Sequence, residues 1–553
     1  MDQLIRLTHL TFTYPHAEQP TLQNVDLTVN QGDFLVIAGD SGSGKTTLLR
    51  HLKKELLPNG QREGQITITG QSISEMTKLQ SAQTIGYVSQ NPRHQPVMPT
   101  VIEELAFSLE NIGCPSREIN RRIAEMTTYL GLDHWLHQSI ETLSGGQLQL
   151  VNLAAVLILR PKVILLDEPT AQLDPLMTRN LMAILARIHQ ELGMTIVMTE
   201  HNLSLPITLA TRMVLLNQRT IAADGSPASI MAKMFYQPTT KRFVPEVPAL
   251  FLTYYPQASP LPLSVMTAQR LIRARKFRFK SVPHLTHDLK TAAGEQPILA
   301  MKNVSFSFNA EQNVVDHLNL FVNKGDWLTI VGKNGSGKST LLSLMAGLRK
   351  PQFGKIKLNR RLIWKLSNLQ RIQQLSFLSQ EPTLQFGQET VIQELIVQGQ
   401  QLEIKNVAER AARMLKDCRL THLKSQNPFD LSGGQQRLLG LAIALMAEPV
   451  LLILDEPTNG LDPNTKYIVG KLLKDYQRSG GTIVMATHDM AFAAEFSDHC
   501  GFMFDGDLET ILPRRQFFSE NFFFTTAVNR LLRDQVPTAI LVDDVVAEKG
   551  DVN

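Results

Sequence analysis

The stretch Gly39-Asp40-Ser41-Gly42-Ser43-Gly44-Lys45-Thr46-Thr47 has a twin later in the chain, Gly332-Lys333-Asn334-Gly335-Ser336-Gly337-Lys338-Ser339-Thr340. Both fit the P-loop pattern GxxxxGK[ST]. Its glycines let the backbone curl so that N–H groups and the start of the next helix face phosphate oxygens. Lys45 and Lys338 are expected to reach the β- and γ-phosphates of a nucleotide, and Thr46 and Ser339 to offer a hydroxyl to Mg2+. Each copy has the context the pattern needs, an apolar strand before it (DFLVIAG, DWLTIVG) and an apolar helix after it (TTLLRHL, STLLSLM).

Outward from these loops the repeat continues in order. YVSQNP returns as FLSQEP, LSGGQ occurs twice, ILLDEPTAQLDP returns as LILDEPTNGLDP, and IVMTEHN returns as IVMATHD. The lysines lie 293 residues apart, the glutamines 290, the aspartates 288 and the histidines 287, so only small insertions separate the halves. A duplication of this kind fixes the architecture before any local reading. The first unit is placed at residues 1–225 and the second at 298–515, with a C-terminal tail at 516–553. The intervening 226–297 holds nine prolines and reads as an extended linker or irregular accessory segment. The apolar runs VILLD, LLILD, TIVMT and TIVMA read as buried parallel strands of an α/β sheet, with active residues at their carboxyl ends.

Asp167 and Asp455 end such strands, where a carboxylate helps hold Mg2+ through water. Glu168 and Glu456 follow directly and are placed to orient and deprotonate the water that attacks a γ-phosphate. Gln90 and Gln380 follow short strands and can touch Mg2+ or that water. His201 and His488 end further strands within reach of the γ-phosphate. A lone Gln or His reads as an ordinary surface or core residue; duplication at matched offsets favours a function.

Composition bounds the rest. The 553 residues exceed what one core usually supports, so at least two domains are expected. Lys and Arg number 55 against 51 Asp and Glu, a formal charge of +4, so the chain is no polyelectrolyte coat for nucleic acid. With 43% hydrophobic residues it can bury sizeable cores. Cys114, Cys418 and Cys500 lack the spacing of a zinc site or disulfide framework, which fits a reducing compartment. The opening MDQLIRLTHLTFTYP lacks the features of a secretion signal, and the longest apolar runs fall short of the roughly 20 residues of a membrane span.

These motifs together resemble the ATP-binding cassette family over about four fifths of the chain. The resemblance implies two tandem P-loop NTPase cassettes, each with a mostly parallel sheet core, an N-terminal antiparallel β subdomain and a helical signature subdomain. ATP and Mg2+ would be the ligands, and ATP hydrolysis the reaction. LSGGQ looks like the family signature, Ser144, Gly145, Gly146 and Gln147 in one half and Ser432, Gly433, Gly434 and Gln435 in the other. A hydroxyl and bare backbone donors before a helix suit an anion. The resemblance implies that each signature faces the other half's P-loop, Lys45 with Ser432 and Gly434, Lys338 with Ser144 and Gly146. This intramolecular pair would stand in place of a homodimer. Tyr14 and Phe308 match the aromatic that stacks on adenine, and Leu173-Asp174 and Leu461-Asp462 match the D-loop. The Arg usual at the third position after LSGGQ is replaced by Leu150 and Leu438, although Arg437 lies one residue earlier. Both halves keep their Lys, Glu, signature and His, so both sites are expected to hydrolyse ATP.

The segment after Gln90 resembles that of energy-coupling factor (ECF) importer ATPases of the cobalt and vitamin type, here fused in pairs. In them an acidic and apolar segment receives a helix of the membrane partner. Glu103, Glu104, Phe107 and Asn111 sit in that segment, with Thr390, Glu394 and Leu395 as rough counterparts. The resemblance implies a peripheral subunit on the cytoplasmic face of the cell membrane, beneath an integral membrane scaffold that joins a small substrate-binding membrane subunit. No nucleic acid is expected. Two alternatives stay open: a soluble double-cassette ATPase acting on ribosomes or nucleic acid, whose linker is typically a long charged helical hairpin, and a fused sugar-importer ATPase, in which one half is commonly degenerate. Two stretches stay outside this reading. RLIRARKFRFK (270–280) carries six basic residues in eleven and is either a solvated basic segment or a contact for anionic lipid or an acidic subunit. FFSENFFF (517–524) has five phenylalanines, expected to pack as a helix on the second unit unless exposed as a docking patch.

Overall fold

The computed structural model describes residues 2–282, 297–309 and 313–548. The chain divides into two compact units, Met1–Ser264 and Val265–Asn553. In the first, alternating apolar residues build an antiparallel sheet in the order Leu22–Asn30, Gln3–Thr13, Gln61–Ile68, Gln71–Ser72. A six-stranded sheet runs Thr220–Gly225, Arg212–Asn217, Phe34–Ala38, Thr195–Thr199, Val163–Asp167, Ile85–Val88. All its neighbours pair in parallel except the first two strands.

The parallel strands are buried from end to end because both faces are covered, which explains their unbroken apolar runs. Successive residues alternate between two cores. Leu35, Ile37, Val163, Leu165 and Val197 pack with the antiparallel sheet and with Leu48 and Leu49 of the post-P-loop helix. Phe34, Val36, Ile164, Leu166 and Met198 pack with the helix Gly145–Leu157.

The second unit repeats this plan. Its antiparallel sheet runs Val315–Val322, Leu299–Phe306, Phe353–Leu358, Arg361–Leu362. Its larger sheet runs Leu375–Leu378, Leu451–Asp455, Thr482–Ala486, Trp327–Val331, His499–Phe504, Asp507–Pro513. The strand order and pairing match those of the first unit.

The expected linker is largely folded. Helices Pro227–Phe235 and Glu246–Tyr254, with the turn Lys241–Phe243 between them, bury Ile230, Met234, Phe243, Val244 and Leu252 against the first unit's core, which therefore extends past residue 225. Pro227 opens one helix and Pro248 lies in the first turn of the other, where a missing N–H costs no helical hydrogen bond. Residues 283–296 lie outside those described.

The basic stretch forms part of the helix Val265–Arg275 and the strand Phe279–Ser281, which pairs with Val545–Ala547 of the tail. The tail is thereby part of the second unit. Phe517 and Phe518 are buried on the helix Arg514–Glu520, whereas Phe522 and Phe523 are exposed. Among the described residues no helix is long and apolar enough to cross a membrane.

Candidate functional site

Each P-loop wraps its own lysine. Lys45 Nζ donates to the carbonyls of Gly39 at 2.9 Å and Asp40 at 3.0 Å, and Lys338 Nζ does the same to Gly332 and Lys333 at 2.9 and 3.0 Å. Gly44 and Gly337 sit at φ 102° and 99° immediately before the helices Lys45–His51 and Lys338–Met345. A Cβ on Gly44 would meet Leu22 Cδ2 at 2.8 Å and the Thr21 carbonyl at 2.9 Å. The loop's curl thus depends on glycine for both conformation and space.

Where the central strands end, the first unit gathers its carboxylates. Thr46 and Thr199 donate hydroxyls to Asp167 Oδ1 at 3.0 and 2.8 Å, and the Tyr87 hydroxyl donates to Oδ2 at 3.0 Å. Burial pushes the Asp167 carboxyl above its usual range against these donors. Glu168 lies at φ 44°, a left-handed conformation uncommon for a side chain of its kind and characteristic of functional turns. Its Oε2 accepts from Gln90 Nε2 at 2.7 Å; its Oε1 lies 2.8 Å from His201 Nε2 and 3.9 Å from Lys45 Nζ. Lys45, Thr46, Gln90, Asp167, Glu168 and His201, scattered over 157 positions, are therefore one cluster.

The second unit has the same frame with different joints. Glu456 is again left-handed, at φ 49°, and its Oε2 lies 2.9 Å from His488 Nδ1 and 3.2 Å from the Thr487 hydroxyl. Burial opposes charge on this pair, yet His488 and Lys338 hold the Glu456 carboxyl below its usual range. Glu456 in turn holds the His488 imidazole above its own. Phe377 and Ala486 stand where Tyr87 and Thr199 supply hydroxyls, and Asp455 Oδ1 is left buried without a partner. Burial pushes the Asp455 carboxyl up to about 6, opposed by a hydrogen bond from Ser339.

The residues fit a nucleotide phosphate and a hard cation. The Ser43 and Ser336 hydroxyls are buried in the P-loops without protein partners, as are Asp455 Oδ1 and Glu456 Oε1 beside the second loop. Hydroxyl and carboxylate oxygens suit Mg2+, which keeps water and phosphate among its ligands. Among the described residues no group of three or more His, Cys, Asp or Glu could hold a metal by itself. Thr46 with Asp167, and Ser339 with Asp455, would hold the cation, which when bound neutralises phosphate charge.

Other expected residues sit apart from these clusters. Ser144 and Ser432 are exposed N-caps whose hydroxyls accept from the N–H of Gln147 and Gln435, each returning a side-chain bond to the serine N–H. The signature thus begins its own helix. Tyr14 packs edge-on to Phe12, and its hydroxyl lies 3.1 Å from that of Thr47. Phe308 is exposed beneath the guanidinium of Arg349, 4.7 Å from the ring centre. Asp174 and Asp462 cap the helices Pro175–Leu192 and Pro463–Arg478.

In the segment after the glutamine, Glu103, Phe107, Asn111 and Thr390 are at least partly accessible, but Glu104, Glu394 and Leu395 are buried. Glu104 accepts from the N–H groups of Val97 and Met98, and Glu394 from those of Gly387 and Gln388, so these carboxylates fasten loops of their own unit. Sequence reasoning missed Tyr87, Thr199, Glu200 and the contacts of Arg437. Tyr87 and Thr199 flank the motifs on strands and differ between the halves, which was the available signal.

The ABC transporter family model matches residues 22–171 and 315–459. A Bacillus thuringiensis protein named as an ABC transporter ATP-binding protein is 44% identical over 540 residues, covering 98% of this chain and 97% of that one. A Bacillus subtilis protein, YkoD, named for HMP/thiamine import, is 30% identical over 528 residues, 94% and 93% of the two chains. Among solved structures, an archaeal ribosome recycling factor, aABCE1, in complex with the ribosomal stalk protein aP1, matches with a TM-score of 0.59 at 19% identity, covering 92% and 91%, a likeness of fold alone.

Proposed function

The chain belongs to the ABC transporter family, and from that premise we propose that it is the energy-coupling ATPase of an ECF-type importer for a vitamin or a metal cation. The family shows that it binds ATP with Mg2+ and hydrolyses the nucleotide. The carrying observation for import is the full-length similarity to YkoD, whose name assigns HMP/thiamine import to that protein. The exposed part of the segment after each glutamine supports a membrane partner. On this reading the chain lies on the cytoplasmic face of the membrane, with an integral scaffold subunit and a small substrate-binding subunit.

In hydrolysis a water oxygen forms a bond to the γ-phosphorus while the bond to the bridging oxygen breaks, and the water proton needs an acceptor. We assign that acceptor to Glu168 and Glu456, oriented by His201 and His488, with Lys45 and Lys338 countering phosphate charge. Gln90 and Gln380 link each site to the partner-facing segment. Ser144 and Gly146, and Ser432 and Gly434, would each complete the site of the opposite P-loop, and Tyr14 and Phe308 would lie against adenine.

Glu168→Gln together with Glu456→Gln is expected to lower turnover by at least about a hundredfold while ATP binding persists, because shape is kept and the base is lost. Near-normal turnover would remove both glutamates from the mechanism. The import reading is tested by purifying the tagged chain from gently solubilised native membranes and identifying what remains bound. A scaffold membrane protein with a small multi-span partner is expected; ribosomal proteins or nucleic acid in their place would overturn it.

A further inference from the structure

The two units carry the same motifs but join them differently. In the second, the helix Gly433–Leu445, which opens on the signature, carries Arg437. Its guanidinium donates Nη1 to the Glu456 carbonyl at 2.5 Å and Nη2 to the Gln380 carbonyl at 3.1 Å. One planar fork thus spans the glutamine loop and the glutamate's main chain, a geometry that a lysine ammonium cannot reproduce. The peptide it restrains is the left-handed one at Glu456.

In the first unit the corresponding residue is Gln149, 2% exposed, with neither side-chain oxygen nor nitrogen partnered. There the glutamine loop reaches the glutamate by side chain, Gln90 Nε2 to Glu168 Oε2, while among the described residues Gln380 makes no such bond to Glu456. The carboxylates differ accordingly. Both Glu168 oxygens are engaged, one by Gln90 and one by His201. Glu456 Oε2 accepts from the Thr487 hydroxyl and the His488 main-chain N–H and lies 2.9 Å from His488 Nδ1, whereas the other oxygen, Oε1, is buried and unpartnered.

We propose that Arg437 is a positioning residue for the second ATP site: by tying the glutamine loop to Glu456 through the main chain, it leaves one carboxylate oxygen open for the attacking water, and the second site turns over faster than the first. At the first site the water must share Glu168 Oε2 with the Gln90 bond, and a carboxylate oxygen already held by a donor is the weaker base, which adds to the barrier there. The inference rests on the assignment of Glu168 and Glu456 as bases.

The test is steady-state ATPase of the full-length chain in two backgrounds, Glu168→Gln, which leaves Glu456 to act, and Glu456→Gln, which leaves Glu168. The Glu168→Gln chain is expected to keep the larger share of activity. In that background Arg437→Gln should lower kcat about tenfold with KM for ATP changed less than about twofold, and Arg437→Lys should restore only part of the loss. In the Glu456→Gln background the same substitution should change kcat less than about twofold. Melting temperature and binding of a fluorescent ATP analogue accompany each variant. Should Arg437→Gln not fold, Arg437→Lys carries the test, with a loss of about threefold or more confined to the Glu168→Gln background. Equal losses in both backgrounds, or no loss in either, would overturn the proposal. Undiminished ATPase in Glu168→Gln, Glu456→Gln and their combination would instead overturn the base assignment, and the inference with it.

Discussion

Glu200 immediately precedes His201 in the chain and is 2% exposed. Its Oε1 accepts from the Thr170 N–H at 2.9 Å and hydroxyl at 2.7 Å, and its Oε2 from the His201 N–H at 3.3 Å. It joins the turn after Glu168 to the histidine. In the second unit Thr487 holds this position and bonds to Glu456 instead. Burial, reinforced by the nearby Glu168 charge and opposed by Thr170, pushes the Glu200 carboxyl up to about 8. A carboxyl whose folded pKa is raised keeps its proton in the fold while the unfolded chain has already lost it. Folding stability therefore falls as pH rises from the ordinary glutamate range toward 8. Glu200→Gln removes that slope. The melting temperature of the first unit should fall between pH 5.5 and pH 8 in the wild type and fall less in the variant, by a difference of at least about 2–4 °C, the shift that about 1 kcal/mol produces in a unit of this size. Parallel pH profiles would mean that Glu200 is not the titrating group.

At the scale of elements, the loop and helix of each P-loop act as one piece, and Gly44 is its joint. Gly44→Ala forces a Cβ into contact with Leu22 and the Thr21 carbonyl at a φ of 102° that alanine adopts only under strain of about 1–3 kcal/mol. The expected outcome is loss of nucleotide at the Lys45 loop with binding at the Lys338 loop retained. Titration with a fluorescent ATP analogue should halve in stoichiometry; unchanged stoichiometry would show that the loop relaxes around the methyl group. The loops, the paired carboxylates and the central strands were legible because each is a short run whose residues must be adjacent. What escaped was chemistry distributed over several elements. Glu104 looked like a partner-facing acid, yet an exposed and a loop-fastening glutamate read alike until the Val97 and Met98 N–H groups come into view. The proline count of 226–297 misled for a related reason: number argues for a linker, but position decides, and Pro227 and Pro248 fall in first helical turns.

Across the whole molecule, the unit boundary at Ser264 assigns to the second unit a segment that precedes its P-loop by many residues. The helix Val265–Arg275 meets the tail helix Ala527–Leu532, with Gln269 donating to the Arg530 carbonyl, and the strand Phe279–Ser281 pairs with Val545–Ala547. Sequence separation hid this closure, since neither partner carries a motif. Its fastening is Asp544, 3% exposed, which takes two 2.9 Å bonds from the Arg515 guanidinium and accepts from the Ile540 and Leu541 N–H groups. Burial opposes its charge, but Arg515 and the two N–H groups hold the carboxyl below its usual range. The sign follows: this contribution is present at neutral pH and is lost as pH falls through the depressed value. Asp544→Asn keeps the shape and removes the charge, exchanging one of the two acceptor oxygens for an NH2 that faces donors. A loss of about 2 kcal/mol is expected, confined to the second unit, whose calorimetric transition should move down by about 4–8 °C while that of the first stays in place. Movement of both transitions together would mean that the two units unfold as one, and an unmoved second transition would mean that the tail closes without its carboxylate.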